Sequence, residues 1–305
     1  MNASALPIAT VRRAPRTWRE TALAYFALTK PRIILLLLVT TVPAMVMAAD
    51  GWPSLGLVVA TLVGGAMGAG GANAINCYVD RDLDKLMART RRRPLPAGRV
   101  EPESALIFGV VLGTLAFIEM TALVNLLSAF LTLVAMLFYV FVYTVWLKRS
   151  TPQNIVIGGV AGALPPLIGW AAVTNAVELP AFILFAIVFF WTPPHFWCLA
   201  LRYSGDYRMA GIPMLPVTHG EEETRWHIVL YSMLLVAVTL LLYPAHAAGW
   251  VYLVSALLLG ARFVALAISL RRQASGPAAH RLFKYSTTYL ALLFGAMILD
   301  QILLG

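Results

Sequence analysis

The chain has 305 residues, a formal net charge of +9 and a mean hydropathy of +0.79, and only 12% of its residues are charged. A soluble domain of this length would carry about twice that charged fraction, so the composition excludes an ordinary soluble protein and indicates a membrane protein. The basic surplus alone could suggest a nucleic-acid partner. Its placement along the chain instead favours membrane topology and no nucleic acid.

Nine mainly apolar windows follow one another along the chain, and each has about the length that a membrane span needs. They cover residues 33–49, 55–79, 104–122, 124–147, 154–173, 178–201, 227–247, 249–269 and 285–304. Because the core of a bilayer holds no water to satisfy backbone groups, each window is expected to be an α-helix. The sequence therefore predicts an all-α integral membrane protein with nine transmembrane helices. The boundary at Asn125 is the weakest of these assignments.

The lysines and arginines lie almost entirely in alternate loops. Six precede the first window, seven follow the second, and two, three and four follow the fourth, sixth and eighth. The intervening loops hold none, which is the positive-inside pattern of a protein with a cytoplasmic N-terminus and an external C-terminus. A bacterial inner membrane is the expected location. The arginine-rich start could also be a mitochondrial transit peptide, but it is short enough to favour a cytoplasmic basic tail over residues 1–32.

A group of polar residues stands at the end of the second window. Asn76, Asp80 and Asp84 are spaced i, i+4 and i+8, so they share one face of a helix, and Asn73 lies within a turn of Asn76. Oxygen ligands of this kind suit Mg²⁺, which takes one or two carboxylates and completes its shell with water and phosphate oxygens. A purely topological role is a weak explanation, since topology does not use acids.

Four arginines follow this face directly, at positions 89 and 91–93, and their planar forks match phosphate oxygens. A metal ion held by the carboxylates and the arginines that follow them could together bind a diphosphate, so the sequence predicts a diphosphate site here. Arg91 and Arg92 could equally serve topology alone. Asp82 points away from the shared face and is expected to pair with a neighbouring arginine.

A second polar segment, residues 191–226, lies on the same side of the membrane. His195 stands within the apolar end of the sixth window, after Pro193 and Pro194, which should break or kink the helix. An ionisable residue at such depth is a functional candidate, although a packed core histidine is an equally good explanation. Asp206 lies in a loop that could fold over the first polar group. Asp300, in the last window, is expected to reach toward the outer surface.

These segments together resemble a known family. "NAINCYVDRDLDKLMARTRRRPL" at 73–95 is similar to the N-x-x-x-D-x-x-x-D motif of the UbiA superfamily of intramembrane prenyltransferases. "LTKPRI" at 28–33, "TPQNIVIGGVAGALPPLIGWAAVT" at 151–174, "WTPPHFWCLAL" at 191–201 and "DYRMAGIPMLPVTHG" at 206–220 resemble the protohaem IX farnesyltransferase branch. The resemblance covers essentially the whole chain.

The resemblance implies a single UbiA-type domain over residues 33–305, a nine-helix bundle around a central cavity that opens toward the cytoplasm. It implies farnesyl transfer from farnesyl diphosphate to haem B, giving haem O for haem–copper oxidases. The implied metal–diphosphate residues are Asn76, Asp80 and Asp84, with Arg89 and Arg93 as basic partners. Asn73, Lys30 and Arg32 would assist the diphosphate.

The haem side of the resemblance rests on the second polar segment. It implies that His195 acts on the porphyrin, as an iron ligand or a positioning group, and that Asp206 and Tyr207 complete the site. Asp206 would also bind metal, but Ala210 stands where many UbiA enzymes have a second aspartate, so either one or two Mg²⁺ ions are implied. A downstream haem A synthase or oxidase assembly proteins would be partners, besides the lipid bilayer.

Two other functions are compatible with parts of the sequence. A UbiA-type enzyme that prenylates an aromatic acceptor such as 4-hydroxybenzoate predicts the same Asn–Asp motif without a porphyrin role for His195. A transporter or a non-catalytic assembly factor is disfavoured by the odd number of windows and by the lack of similarity between the two halves.

Overall fold

The computed structural model describes residues 17–304, and the regular structure of that range is helical throughout. This confirms the predicted all-α class. The helices are α1 Trp18–Leu28, α2 Pro31–Ala48, α3 Leu55–Val79, α4 Arg81–Leu86, α5 Pro102–Leu123, α6 Leu126–Leu137, α7 Lys148–Ser150, α8 Asn154–Thr174, α9 Leu179–Arg202, α10 Ser204–Met209, α11 Leu215–Thr218, α12 Gly220–Leu240, α13 Trp250–Gln273 and α14 Gly276–Leu304. A π-helical segment, π1 Phe138–Leu147, joins α6 to α7 without a break.

Eight helices within residues 17–304 are long and apolar enough to cross a membrane, with α6, π1 and α7 counted as one helix. The ninth long helix, α12, occupies the place of the seventh predicted window. It begins earlier than predicted and carries Glu221, Glu222 and Glu223 in its first turn, which lowers its hydropathy. The nine predicted spans thus each have a helix, and the chain is a multi-pass membrane protein.

The boundary at Asn125 is confirmed by its hydrogen bonds. The Asn125 side chain accepts from Ser128 N at 2.8 Å, which makes it the N-cap of α6, and its amide donates to Ala171 O in α8 at 2.8 Å. Asparagine is among the favoured N-cap residues because its side-chain oxygen satisfies a free N–H of the first turn. One side chain therefore starts a helix and ties it to another.

Helix α1 lies in the segment that the sequence predicts as a basic tail. Thr17 and Glu20 form a reciprocal capping box, with Glu20 N donating to Thr17 Oγ1 and Thr17 N donating to Glu20 Oε2. Ala24 and Leu28 bury their side chains in a small core that includes Cys77 of α3. The helix has 11 residues, fewer than the about 20 of a membrane span, so a window of span length does not detect it. Tail residues 1–16 lie outside the described range.

Helices α3 and α5 approach closely through glycines. A Cβ added at Gly71 would lie 2.6 Å from the carbonyl oxygen of Gly109, and one added at Gly109 would lie 2.9 Å from the carbonyl oxygen of Gly71. Small residues allow such backbone contact between helices in a membrane. This contact fixes α3, which carries the polar residues at its far end, against its neighbour.

Helix α9 is continuous from Leu179 to Arg202, so Pro193 and Pro194 do not break it, and a kink at these prolines stays a prediction. Both prolines are buried, and α9 packs against α8, α12 and α14. Surrounding helices can hold a proline-containing helix together inside a membrane, since they compensate for the missing backbone N–H groups. His195 is therefore carried on a continuous helix and not at a broken end.

Candidate active site

Asn76, Asp80 and Asp84, the Asn–Asp cluster, lie at the junction of α3 and α4. Helix α3 ends at Val79, but the backbone bonds continue, with Asp80 N donating to Asn76 O at 2.9 Å and Asp84 N donating to Asp80 O at 2.8 Å. The i, i+4, i+8 spacing therefore survives the change of helix. All three side chains are buried, and both aspartates have no exposed surface. The structure brings together the residues that the spacing grouped.

Each member of the cluster contacts a cationic side chain from a different part of the chain. Lys30 Nζ donates to Asn76 Oδ1 at 2.6 Å, and Lys148 Nζ donates to Asp80 Oδ2. Arg93 NH1 donates to both carboxylate oxygens of Asp84, at 2.9 and 2.8 Å. Buried charges need such partners, because an isolated charge away from water is strongly unfavourable. Three cations thus surround two carboxylates and one amide.

Lys148 is a member of the site that its sequence position does not predict, because it follows the fourth window, where the alternation of loop charges alone accounts for it. The π-helix before it supplies a second unselected residue, Thr144. Thr144 Oγ1 donates to Tyr139 O, five residues earlier, at 2.8 Å, and accepts from Asn76 Nδ2 at 3.0 Å. Asn76 Nδ2 also donates to Asp80 Oδ2 at 2.8 Å. π-helical turns are frequent at functional sites, which fits this position.

Asn73 and Lys30 hold the start of α2 against α3. Asn73 Nδ2 donates to Thr29 O at 3.0 Å, and Lys30 has a left-handed backbone with φ of 55°. Burial lowers the pKa of Lys30 below its ordinary value. Asn73 therefore acts on the cluster through the Thr29–Lys30 link, whereas Arg32 is exposed on the first turn of α2.

The second polar segment packs over the loop that follows α4, as expected. Tyr207 and Met87 share a buried cluster with residues of α8, α9 and the α10–α11 link. Arg89 NH2 donates to the Tyr207 hydroxyl at 3.4 Å, and the Arg89 guanidinium lies 5.6 Å from the centre of the Tyr203 ring. Burial raises the pKa of Tyr207, so its hydroxyl stays protonated. Asp206 is partly exposed in the first turn of α10.

Asp82 pairs with an arginine, as predicted, but the arginine is Arg149 of α7 and not one of its neighbours in sequence. Arg149 donates to both oxygens of Asp82, at 2.9 and 3.0 Å, and also to Val79 O at 2.9 Å. These hydrogen bonds from Arg149 lower the pKa of Asp82. A cavity of about 530 Å³ lies beside this pair, lined also by Arg81 and Lys85.

The fit of a divalent cation can be tested on the buried oxygens. Asp80 Oδ1 is buried and has no hydrogen-bond partner in the structure. Such an atom usually marks a missing partner. Within residues 17–304 no three His, Cys, Asp or Glu side chains converge as a complete metal site. The donors therefore fit Mg²⁺, which needs only one or two carboxylates from protein, and do not fit an ion that demands a full protein shell.

His195 lies apart in sequence, in α9, and is 9% exposed. Its ring stacks between Trp191, at 4.3 Å between ring centres, and Phe283, at 4.6 Å. Its Nδ1 lies 2.7 Å from Ser286 Oγ of α14. The structure therefore places His195 between two aromatic rings and one hydroxyl, a contact that sequence analysis could not find because Ser286 is 91 residues away.

Asp300 is buried beside the start of α13, and its expected direction toward the outer side of the membrane stays a prediction. Its carboxylate accepts from the backbone N–H groups of Gly249 and Tyr252, so it caps the first turn of α13. The Arg262 guanidinium lies over the Tyr285 ring, 4.8 Å from its centre. Both residues therefore have structural partners outside the Asn–Asp cluster.

Comparison with known proteins agrees with this geometry. The model of the UbiA prenyltransferase family matches residues 37–293. The protoheme IX farnesyltransferase of Symbiobacterium thermophilum is 55% identical over 278 residues, covering 90% of this chain and 93% of that protein. The protoheme IX farnesyltransferase 1 of Saccharopolyspora erythraea is 53% identical, covering 94% of this chain and 93% of that protein. The chain spans half the length of the Chloroflexus aurantiacus relative, to which it is 50% identical over 96% of its own length.

Solved structures show the same fold at low sequence identity. A structure of digeranylgeranylglyceryl phosphate synthase superposes with a TM-score of 0.77 and 18% identity, covering 93% of this chain and 99% of that one. A UbiA homolog from Archaeoglobus fulgidus, bound to GPP and Mg²⁺, superposes with a TM-score of 0.59 and 18% identity, covering 90% and 99%. The chain therefore belongs to the UbiA prenyltransferase family, in the branch of the protoheme IX farnesyltransferases.

Proposed function

We propose that this chain transfers the farnesyl group of farnesyl diphosphate to a vinyl group of haem B, giving haem O and diphosphate. The observation that carries the proposal is the identity of 50–55%, over nine tenths or more of the chain, to proteins named protoheme IX farnesyltransferase. The Asn–Asp cluster and the aromatic surroundings of His195 supply the two kinds of site that the reaction needs.

The diphosphate binds at the Asn–Asp cluster in this proposal. Lys30, Lys148 and Arg93 all reach the cluster, and ammonium and guanidinium groups are good partners for phosphate oxygens. Arg89 stands close to the same loop through Tyr207. Charge on the diphosphate grows as the farnesyl C1–O bond breaks, so cations fixed beforehand stabilise the transition state more than the ground state.

Asp80 and Asp84 would hold Mg²⁺, with Asn76 beside them. The free Oδ1 of Asp80 supports this assignment, as does the solved UbiA homolog with GPP and Mg²⁺. When bound, the ion neutralises charge on the departing diphosphate. Asp206 stays a predicted further ligand, since α10 is part of the segment that packs over the α4 loop.

The reaction balances without any oxidant. Cleavage of the C1–O bond sends its electron pair to the diphosphate, and the terminal carbon of the haem vinyl group bonds to C1. The positive charge moves to the vinyl carbon next to the porphyrin ring, where water adds and loses a proton. The product carries a hydroxyethylfarnesyl substituent. Buried aromatic rings such as Trp191 can favour a nearby positive charge through their faces.

The topology and partners of the chain are also part of the proposal. Residues 33–305 would form one catalytic domain in a bacterial inner membrane, with the Asn–Asp cluster at the cytoplasmic side and the C-terminus outside. The charge alternation of the loops supports this orientation. Haem O would pass to a haem A synthase or to oxidase assembly proteins.

The proposal is tested with purified protein, farnesyl diphosphate and either haem B or 4-hydroxybenzoate, with Mg²⁺ or with a chelator. We expect farnesylated haem in the presence of Mg²⁺ only, detected by mass. Product from 4-hydroxybenzoate alone would overturn the haem assignment. Asp80→Asn and Asp84→Asn should each lower kcat by about 10²–10³, the usual cost of losing one electrostatic group at a transition state. Full activity in both variants would refute the role of the cluster.

A further inference from the structure

The surroundings of His195 determine which of its ring nitrogens can bind a ligand. Trp191 and Phe283 stack on the two faces of the imidazole, with interplanar angles of 21° and 26°. Ser286 Oγ occupies the Nδ1 edge at 2.7 Å. The Phe196 ring lies 5.4 Å away at an interplanar angle of 82°, and Nε2 has no hydrogen-bond partner within residues 17–304.

The hydroxyl of Ser286 has two close neighbours and only one hydrogen. Ser286 Oγ lies 2.7 Å from the carbonyl oxygen of Phe283 and 2.7 Å from His195 Nδ1. Two oxygens at that distance need a hydrogen between them, and a carbonyl cannot supply it. The Ser286 hydrogen is therefore committed to Phe283 O. Its oxygen can then only accept from His195, so Nδ1 carries the proton.

We infer that Ser286 is a positioning residue that holds His195 in the Nδ1–H tautomer, so that Nε2 presents an unprotonated lone pair to the iron of the haem substrate. The ligand in this inference rests on the proposed function, whereas the tautomer follows from the hydrogen bonds alone. A histidine bound to a metal through one nitrogen commonly donates its other N–H to a fixed acceptor, which sets both tautomer and ring orientation.

A second contact makes Ser286 a suitable residue for this task. Trp191 Nε1 donates to the backbone carbonyl of Ser286 at 2.7 Å. The stacking partner and the hydrogen-bond partner of His195 are therefore tied to one another across α9 and α14. Because this bond uses the backbone, it is retained when the Ser286 side chain is replaced, so the hydroxyl can be removed separately.

The tautomer is measured by ¹⁵N NMR on protein labelled at histidine, of which the chain has five. His195→Gln identifies the His195 signals. We expect a protonated Nδ1 and an unprotonated Nε2 in the unaltered protein and in Ser286→Thr, which keeps a hydroxyl. In Ser286→Ala the Nδ1 proton loses its acceptor, and we expect a shift toward the Nε2–H form. Ser232→Ala is the matched control, since Ser232 is buried and donates to Ile228 O but has no hydrogen bond to a histidine within residues 17–304.

Haem binding is followed in the same variants by titration of the haem absorption band. We expect Ser286→Ala to weaken haem binding about 10- to 100-fold, the usual cost of removing the group that orients a metal-binding histidine. Ser286→Thr and Ser232→Ala should bind as the unaltered protein does. A protonated Nε2 in the unaltered protein, or an unchanged tautomer in Ser286→Ala, would overturn the inference.

The two proposals fail in different ways. If the unaltered protein binds no haem B while the NMR shows the expected tautomer, the proposed function is wrong, and the role of Nε2 toward iron is wrong with it. If haem binds and is farnesylated but Ser286→Ala binds haem equally well, only the positioning role of Ser286 is overturned.

Discussion

Replacing Lys148 with methionine should lower both kcat and the free energy of unfolding, through two effects that can be measured separately. Lys148 Nζ donates to Asp80, and the side chains of the pair are 13% and 0% exposed. Methionine keeps the length and the apolar stem of lysine but removes the charge. Asp80 then loses the one ion pair that it forms within residues 17–304 and lies buried beside a thioether.

The size of each effect follows from this burial. Removing one partner of a buried ion pair leaves an uncompensated charge and costs about 3–5 kcal/mol of unfolding free energy. The loss of one cation from the departing diphosphate should lower kcat by about 10²–10³. Lys148→Arg keeps a positive charge at this position and should regain a large part of both.

The assay compares haem farnesylation with thermal unfolding of the same detergent-solubilised preparation. Activity is measured well below the melting temperature of the variant, so that unfolded protein does not contribute to the loss. Arg149→Met is the matched control, because its pair with Asp82 is exposed at 37% and 59% and should be worth about 0–1 kcal/mol. We expect Arg149→Met to change kcat by less than about threefold.

The reasoning is refuted if folded Lys148→Met protein turns over at the rate of the unaltered enzyme. A loss of the same size in Arg149→Met would also refute it, since the effect would then come from general disruption of α7. A drop in kcat without a drop in melting temperature would contradict the assignment of Lys148 to a buried pair.

Three further substitutions test other contacts. Gly71→Ala should lower the melting temperature and the yield of folded protein, because its methyl group would meet the α5 backbone at 2.6 Å, whereas Gly65→Ala, with nothing within 4 Å, should be neutral; equal behaviour of the two would disprove the close approach. Arg93→Met should lower kcat by about 10²–10³, since Asp84 loses the NH1 group that donates to both of its oxygens and the site loses one cation, and undiminished turnover would count against it. Asp300→Ala should lower the unfolding free energy by about 1–3 kcal/mol without changing kcat, because the backbone N–H groups of Gly249, directly before α13, and of Tyr252 lose their acceptor; a change in kcat at unaltered melting temperature would argue against a capping role.

Helical periodicity was sufficient to group Asn76, Asp80 and Asp84, because their contacts lie within two turns of one another. It was also sufficient to set Asp82 apart from them. The apolar windows located the long helices, and the largest errors fell at α12 and α14, which begin with polar or small residues. Local features of this kind can be read from a single sequence because they depend on spacing alone.

The partners of the cluster could not be predicted in the same way. Lys148 contacts Asp80 across 68 residues, and Ser286 contacts His195 across 91. No spacing rule brings such pairs together, and only the packing of the bundle decides them. The capping role of Asp300 could not be predicted for the same reason, since it depends on where α13 begins. The prolines of α9 do not break the helix because local propensity yields to the packing around it.

The π-helical segment π1 divides the helix formed by α6, π1 and α7 into two parts whose side-chain directions are set separately. The side chains of α6 follow the ordinary helical repeat, so that one face packs against α8. The ten residues of π1 form wider turns before Lys148. If the same residues formed a regular α-helix, everything after π1 would rotate by about 100° relative to α6 for each extra residue that the wide turns now hold. Thr144 and Lys148 would then swing away from α3 while the greasy surface of α6 stayed in place. The widened turn thus sets the rotational phase of the charged end, so a span of the same length in regular α-helix could still insert in a membrane yet fail to assemble the reaction centre.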